Sequence, residues 1–167
     1  MFEYPLLFVF PLAMAYAAAS DLLTMTIPNR ISLVLIAGFL LLAPLAGFTL
    51  ELALKHLAVG AAVLAVGIAL FALRIFGGGD AKLLAAASLW LGFEQLGPFL
   101  GYVVIFGGVL CVAILLYRRF IPAAALGLPE WAVRLNDRKV GAPYGIAIAA
   151  AALYIYPKTP WYQSFIA

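Results

Sequence analysis

The sequence is poor in charge, in cysteine and in histidine, and each scarcity narrows what the chain can be. Of its 167 residues only 10% are charged, against 67% hydrophobic, and the mean hydropathy is +1.14. That balance lies outside the range of soluble domains, so the class is integral membrane. The single cysteine, Cys111, sits in the apolar run GGVLCVAILL, which excludes an internal disulfide and a paired-cysteine metal site. It reads as a small packing or lipid-facing residue. The lone histidine, His56, stands beside Lys55 and reads as a solvated interfacial residue, so no metal or other cofactor is expected. No polar block is long enough to fold separately, and residues 1–167 read as one domain. Ten basic residues against seven acidic ones give a formal charge of +3. They lie between apolar segments rather than in an aromatic-interleaved patch, which points to the lipid bilayer and away from nucleic acid.

Apolar runs are what the sequence has in abundance. A perpendicular helix crossing a bilayer core takes about 20 apolar residues, with a range of about 17–25. Runs of this kind fall at residues 4–20, 31–48, 57–73, 83–93, 97–117 and 142–156. The fourth is short and gains length if Ala81 and Lys82 join it, the lysine stem reaching to the interface. The stretch Glu94-Gln95-Leu96-Gly97-Pro98 separates the fourth run from the fifth, because glycine followed by proline marks a turn and suits a helix start. The expected fold is an all-α polytopic membrane bundle of about six transmembrane helices. The first run carries Glu3 and no basic residue, so it reads as a retained span rather than a cleaved signal.

Six spans deal the basic residues unequally. One side receives Arg30, Arg74, Lys82, Arg118, Arg119, Arg134, Arg138 and Lys139, and the other only Lys55 and Lys158. The excess marks the cytoplasmic side and puts both termini in the periplasm. Residues 118–140 become a cytoplasmic loop, with an interfacial stretch over 128–135 expected to lay its apolar side on the membrane.

Of the seven acids, Glu3, Glu51 and Glu94 fall in outer segments and Glu130 and Asp137 in the last cytoplasmic loop, which leaves Asp21 and Asp80, each joined to a hydrophobic span. Asp21 ends the first span and Asp80 opens the fourth, and these helices run in opposite directions, so both carboxylates fall near the cytoplasmic face. Asp80 follows Gly77-Gly78-Gly79 and can be explained as a helix cap. Asp21 is harder to explain structurally, because an anion at a helix C-terminus opposes the macrodipole, and a charge carried into the membrane is costly. Two nearby carboxylates sharing a proton can activate water for amide hydrolysis, one as base and the other polarising the carbonyl. The glycines before Asp80 can let a substrate backbone approach, or can simply form a turn.

Three stretches carry a more specific pattern: Ser20-Asp21 leading to Ile27-Pro28-Asn29, then Gly77-Gly78-Gly79-Asp80-Ala81-Lys82-Leu83-Leu84, and finally Pro143-Tyr144-Gly145. Together they resemble the type IV prepilin peptidases, membrane aspartic proteases with a GxGD motif, and particularly the short form of tight-adherence (Flp-type) pilus systems. The resemblance implies that Asp21 and Asp80 are catalytic and that prepilin and pilin-like membrane substrates lose their leader peptide at the cytoplasmic face of the bacterial inner membrane, just before the pilin's hydrophobic helix. Gly77 and Gly79 match the motif and are expected to shape the backbone beside Asp80. Lys82 reads as an interfacial anchor, with pairing to substrate acids or headgroups as the alternative. Pro28 and Asn29 are expected to start the second span, and Pro143, Tyr144 and Gly145 the sixth, with lining of the substrate groove as the alternative for both.

Larger members of that family carry an N-terminal cytoplasmic insertion with paired cysteines, associated with N-methylation of the mature pilin. Here only residues 21–30 join the first two spans, so a peptidase without methyltransferase activity is expected. Two other readings compete. A small proton-coupled transporter would place acids near the bilayer midplane on broken helices, and a non-catalytic assembly protein would use Asp80 only as a cap.

Overall fold

A computed structural model describes residues 8–121 and 127–166. Within them the chain is all-helical: α1 (Val9–Thr24), α2 (Asn29–Leu45), α3 (Leu50–Ala72), α4 (Gly78–Phe120), α5 (Glu130–Asn136), α6 (Gly145–Ile155) and α7 (Pro160–Ile166). Only α3 and α4 are long and apolar enough, by length and composition, to cross a membrane; α1, α2 and α6 are shorter apolar helices. A helix pairs its own backbone groups, which suits segments whose side chains offer no partners. Large apolar side chains such as Leu41, Phe93 and Leu115 point outward. The beginning of the first expected span, with Glu3, and residues 122–126 of the expected loop lie outside the described residues.

The long α4 is broken at Gly92, where φ is 75° and ψ −179°, a combination essentially confined to glycine. The two arms, residues 78–91 and 93–120, run in opposite directions. On the first arm, Ala81 meets Gly67, Leu89 meets Gly60, and Gly92 meets His56, so it is antiparallel to α3. On the second arm, Tyr102 and Phe106 lie 4.5 and 6.3 Å from the Tyr154 ring, whereas Gly107 lies under Tyr144. That arm is therefore antiparallel to α6. The expected break at Glu94–Pro98 is thus displaced to Gly92, and residues 94–98 are helical. Gly97 has open space around it and no positive φ, so nothing there forces a turn.

His56 also departs from expectation, being buried rather than solvated. Its Nδ1 lies 2.8 Å from the Leu89 carbonyl, and its ring stacks on Phe39 at 5.6 Å. Adjacent helical residues diverge in direction: Lys55 turns outward to Glu51 at 2.6 Å, while His56 turns inward. The Leu89 carbonyl precedes the break, where ψ near 180° turns the following N–H away from its usual acceptor, and His56 takes its place.

Around this end of the bundle the core is aromatic. Trp90 packs on Trp161 with ring centroids 4.6 Å apart, and its Nε1 donates to the Leu35 carbonyl at 2.8 Å. Phe10 and Phe39 complete the cluster.

At the opposite end the loop is tied down. Arg118 donates to the carbonyls of Leu135 and Val140 at 2.7 and 2.8 Å, and Arg134 donates to the Leu23 carbonyl at 2.9 Å. The stretch expected at the interface forms α5, whose Ala132 and Leu135 are buried and whose Val133 is exposed. Arg118 and Arg134 tie it to the bundle through helix-end carbonyls.

Candidate active site

The turn after α1 is built first. Met25 adopts a left-handed φ of 54° and its N–H donates to the Asp21 carbonyl. Ser20 Oγ donates to the Thr26 carbonyl at 2.9 Å, Thr24 Oγ1 to the Ser20 carbonyl at 2.7 Å, and the Thr24 and Thr26 hydroxyls are 2.7 Å apart. These local bonds hold the chain in a tight reversal that a short connection needs. Pro28 then caps α2, which begins at Asn29.

Asp21 lies one turn from the end of α1 and is only 5% exposed. Its Oδ2 accepts the N–H of Gly145 at 2.7 Å. Gly145 is the first residue of α6, with Tyr144 before it. Asp21 therefore sits at the unfavourable end of its own helix and at the favourable, positive end of another, which answers the dipole objection raised by the sequence.

Asp80 occupies the first turn of α4, half-buried, where the helix dipole favours an anion. A Cβ placed on Gly77 would fall 2.6 Å from Asp80 Oδ2, and one on Gly79 3.3 Å from Ile27 Cβ. Neither glycine has a positive φ. Their service is to close approach: Gly77 leaves room for the Asp80 carboxylate and Gly79 for Ile27.

Asp21 and Asp80 border one cavity of about 330 Å³, together with Met25, Thr26, Ile27 and the three glycines 77–79. Two carboxylates that open on one cavity can present a base and an acid to a water and a carbonyl. The remaining predicted residues surround this centre. Lys82 Nζ donates to Asn29 Oδ1 at 3.0 Å, joining α4 to the start of α2. Tyr144 packs edge-on against Phe76, which precedes Gly77, at 6.0 Å. Pro143 precedes Tyr144, and its carbonyl accepts the Ile146 N–H at 3.2 Å.

Sequence reasoning missed the bond from Gly145 to Asp21 and the tie between Lys82 and Asn29. The first had a signal: a helix start beginning with glycine is a ready site for an anion. The second joins residues 53 positions apart and had none.

The sequence model of a family described as the type IV leader peptidase family matches residues 8–116. That stretch includes Asp21 and Asp80 but stops short of Pro143, Tyr144 and Gly145, the last of which donates to Asp21. Comparison with curated proteins and with solved structures found no match.

Proposed function

Because the chain belongs to the type IV leader peptidase family, we propose that it is an aspartic endopeptidase in which Asp21 and Asp80 remove the leader peptide of Flp-like prepilins. The observation that carries this reading is the single cavity bordered by both carboxylates. One carboxylate, ionised, takes a proton from water as that water attacks the scissile carbonyl. The other, protonated, donates a hydrogen bond to the carbonyl oxygen as charge develops there. The proton then passes to the leaving amine, and the pair returns to its shared-proton state. Gly145 N–H supports this cycle by fixing Asp21 without adding a charge that would compete with the second acid.

The membrane setting follows the same reading. α1, α2, α3, the two arms of α4, and α6 form six spans of a bacterial inner-membrane protein. The dyad and α5 face the cytoplasm, and the termini face the periplasm. Only four residues, 25–28, separate α1 from α2, which supports a peptidase without N-methyltransferase activity. A transporter is less well supported, since the acids lie near helix ends rather than at mid-span.

The test is co-expression with a prepilin, following precursor size for the wild type, Asp21→Asn and Asp80→Asn. Each variant is expected in the membrane at normal level with processing reduced at least about 100-fold, the scale of a lost general acid or base. Normal processing by either variant sinks the dyad.

A further inference from the structure

α2 and α3 both pack on the first arm of α4 but hardly on each other, leaving a lateral seam. Each of the three helices contributes positions i, i+3, i+4 and i+7 to it, counted from Asn29, Leu57 and Lys82. That spacing is one face of each helix over two turns. The resulting cavity is about 460 Å³. Its floor is Ala85 and Ala86 with Gly60 beside them, and its walls are Leu33 and Ile36 of α2 and Ala61 and Leu64 of α3. Beyond Leu57, which both share, a second cavity of about 340 Å³ continues between the same helices as far as Pro44. From Asn29 to Pro44 the seam follows α2 for about 22 Å at 1.5 Å per residue.

We infer that this seam docks the apolar helix of the substrate and delivers its cytoplasmic end to the Asp21–Asp80 cavity. The inference rests on the peptidase reading above and adds where the substrate lies. A floor of glycine and alanine lets a helix backbone approach closely, the packing by which helices associate in membranes; a lipid tail has no need of it. Ser32, 7% exposed, lines the seam with its hydroxyl buried and unbonded. An unpaired buried hydroxyl is costly, and a χ1 rotation that turns it into the seam would give it a partner on an incoming helix. The mouth is polar: Lys82 and Asn29 stand two residues beyond Asp80 and Ile27, which border the dyad cavity. A helix seated here would therefore leave the seam beside the carboxylates. The Lys82 ammonium complements an acidic side chain in the first turn of that helix, where the helix dipole also favours one.

The test uses a prepilin carrying its apolar helix and a shorter peptide that spans the cleavage site but lacks the helix. Ala61 and Ala65 are both exposed on α3, and Ala61 alone lines the seam. Ala61→Trp is expected to lower processing of the full prepilin at least tenfold relative to the short peptide, with Ala65→Trp unchanged on both. In the full-length Asp80→Asn protein, a photo-cross-linking residue at Ile36 is expected to capture the prepilin, and one at Val112 on the second arm of α4 is not. Equal processing ratios for Ala61→Trp and wild type, or capture of lipid alone at Ile36, overturns the docking. Capture of the prepilin by a protein whose wild type leaves it uncut overturns the peptidase reading and leaves the docking standing.

Discussion

Asp21 Oδ2 accepts the N–H of Gly145 at 2.7 Å across 124 residues of sequence. A backbone donor cannot be removed by substitution, but its geometry can be spoiled. A Cβ on Gly145 would fall 2.9 Å from both Asp21 Oδ2 and Ile27 Cδ1, and 3.1 Å from Asp21 Cβ. Gly145→Ala must push Asp21 out of place, and a misplacement on the order of 1 Å costs about 100-fold in rate. Processing assays should show that loss while thermal unfolding in detergent changes little. Wild-type activity in Gly145→Ala would mean that Asp21 needs no such fixing.

The three glycines before Asp80 make a second, ordered prediction. Gly77→Ala would crowd the Asp80 carboxylate itself, a flexible group that can rotate away, so activity should fall at least about tenfold with stability kept. Gly79→Ala meets Ile27 at 3.3 Å and Gly78→Ala the Phe71 ring at 3.3 Å, contacts that a shift of a few tenths of an ångström relieves. The expected order of loss is Gly77→Ala far ahead of Gly79→Ala, then Gly78→Ala. Equal losses at all three would point instead to substrate contact along the whole tripeptide.

How far the sequence reached can be judged from these residues. The all-helical class was legible because apolar runs admit few alternatives, and the pairing of Asp21 with Asp80 was legible because span parity sends both acids to one face. Asn29 and Gly145 were correctly expected at helix starts from the prolines near them. What a helix start does for a residue far away in sequence was not legible, since Asp21 meets α6 only after the bundle closes. Helix length was equally hidden: the fourth and fifth runs join through a glycine whose strained φ no local motif announces. His56 was misread because its neighbour Lys55 is solvated, and adjacency along a helix says little about facing.

The sidedness of the six-span reading is open to labelling. Cys111 is the one cysteine and is exposed, so Cys111→Ser gives a clean background. A cysteine introduced at Arg138 should be protected from a membrane-impermeant maleimide applied to the periplasmic side, and one at Lys158 should react. Arg138 lies between α5 and α6 and Lys158 closes the last apolar helix, at positions the positive-inside count assigns to opposite faces. Reaction of both, or the reverse pattern, would overturn the assigned topology.

The break in α4 makes the last prediction, because two separate effects meet at one place. His56→Ala leaves the Leu89 carbonyl without its Nδ1 partner, a loss of about 1–3 kcal/mol for a buried acceptor. His56→Gln, which retains an N–H donor, should recover part of it. Gly92→Ala forces a side chain into φ 75° and ψ −179°, at a cost of about 1–3 kcal/mol. It also drives a Cβ to 2.6 Å from the His56 ring. If the ring is the obstacle, removing it must relieve that second cost, so the double variant should be less destabilised than the two single losses combined. Unfolding midpoints in detergent for the four proteins decide the matter. Strict additivity would show that Gly92 is required for its backbone alone, and that His56 serves only the Leu89 carbonyl.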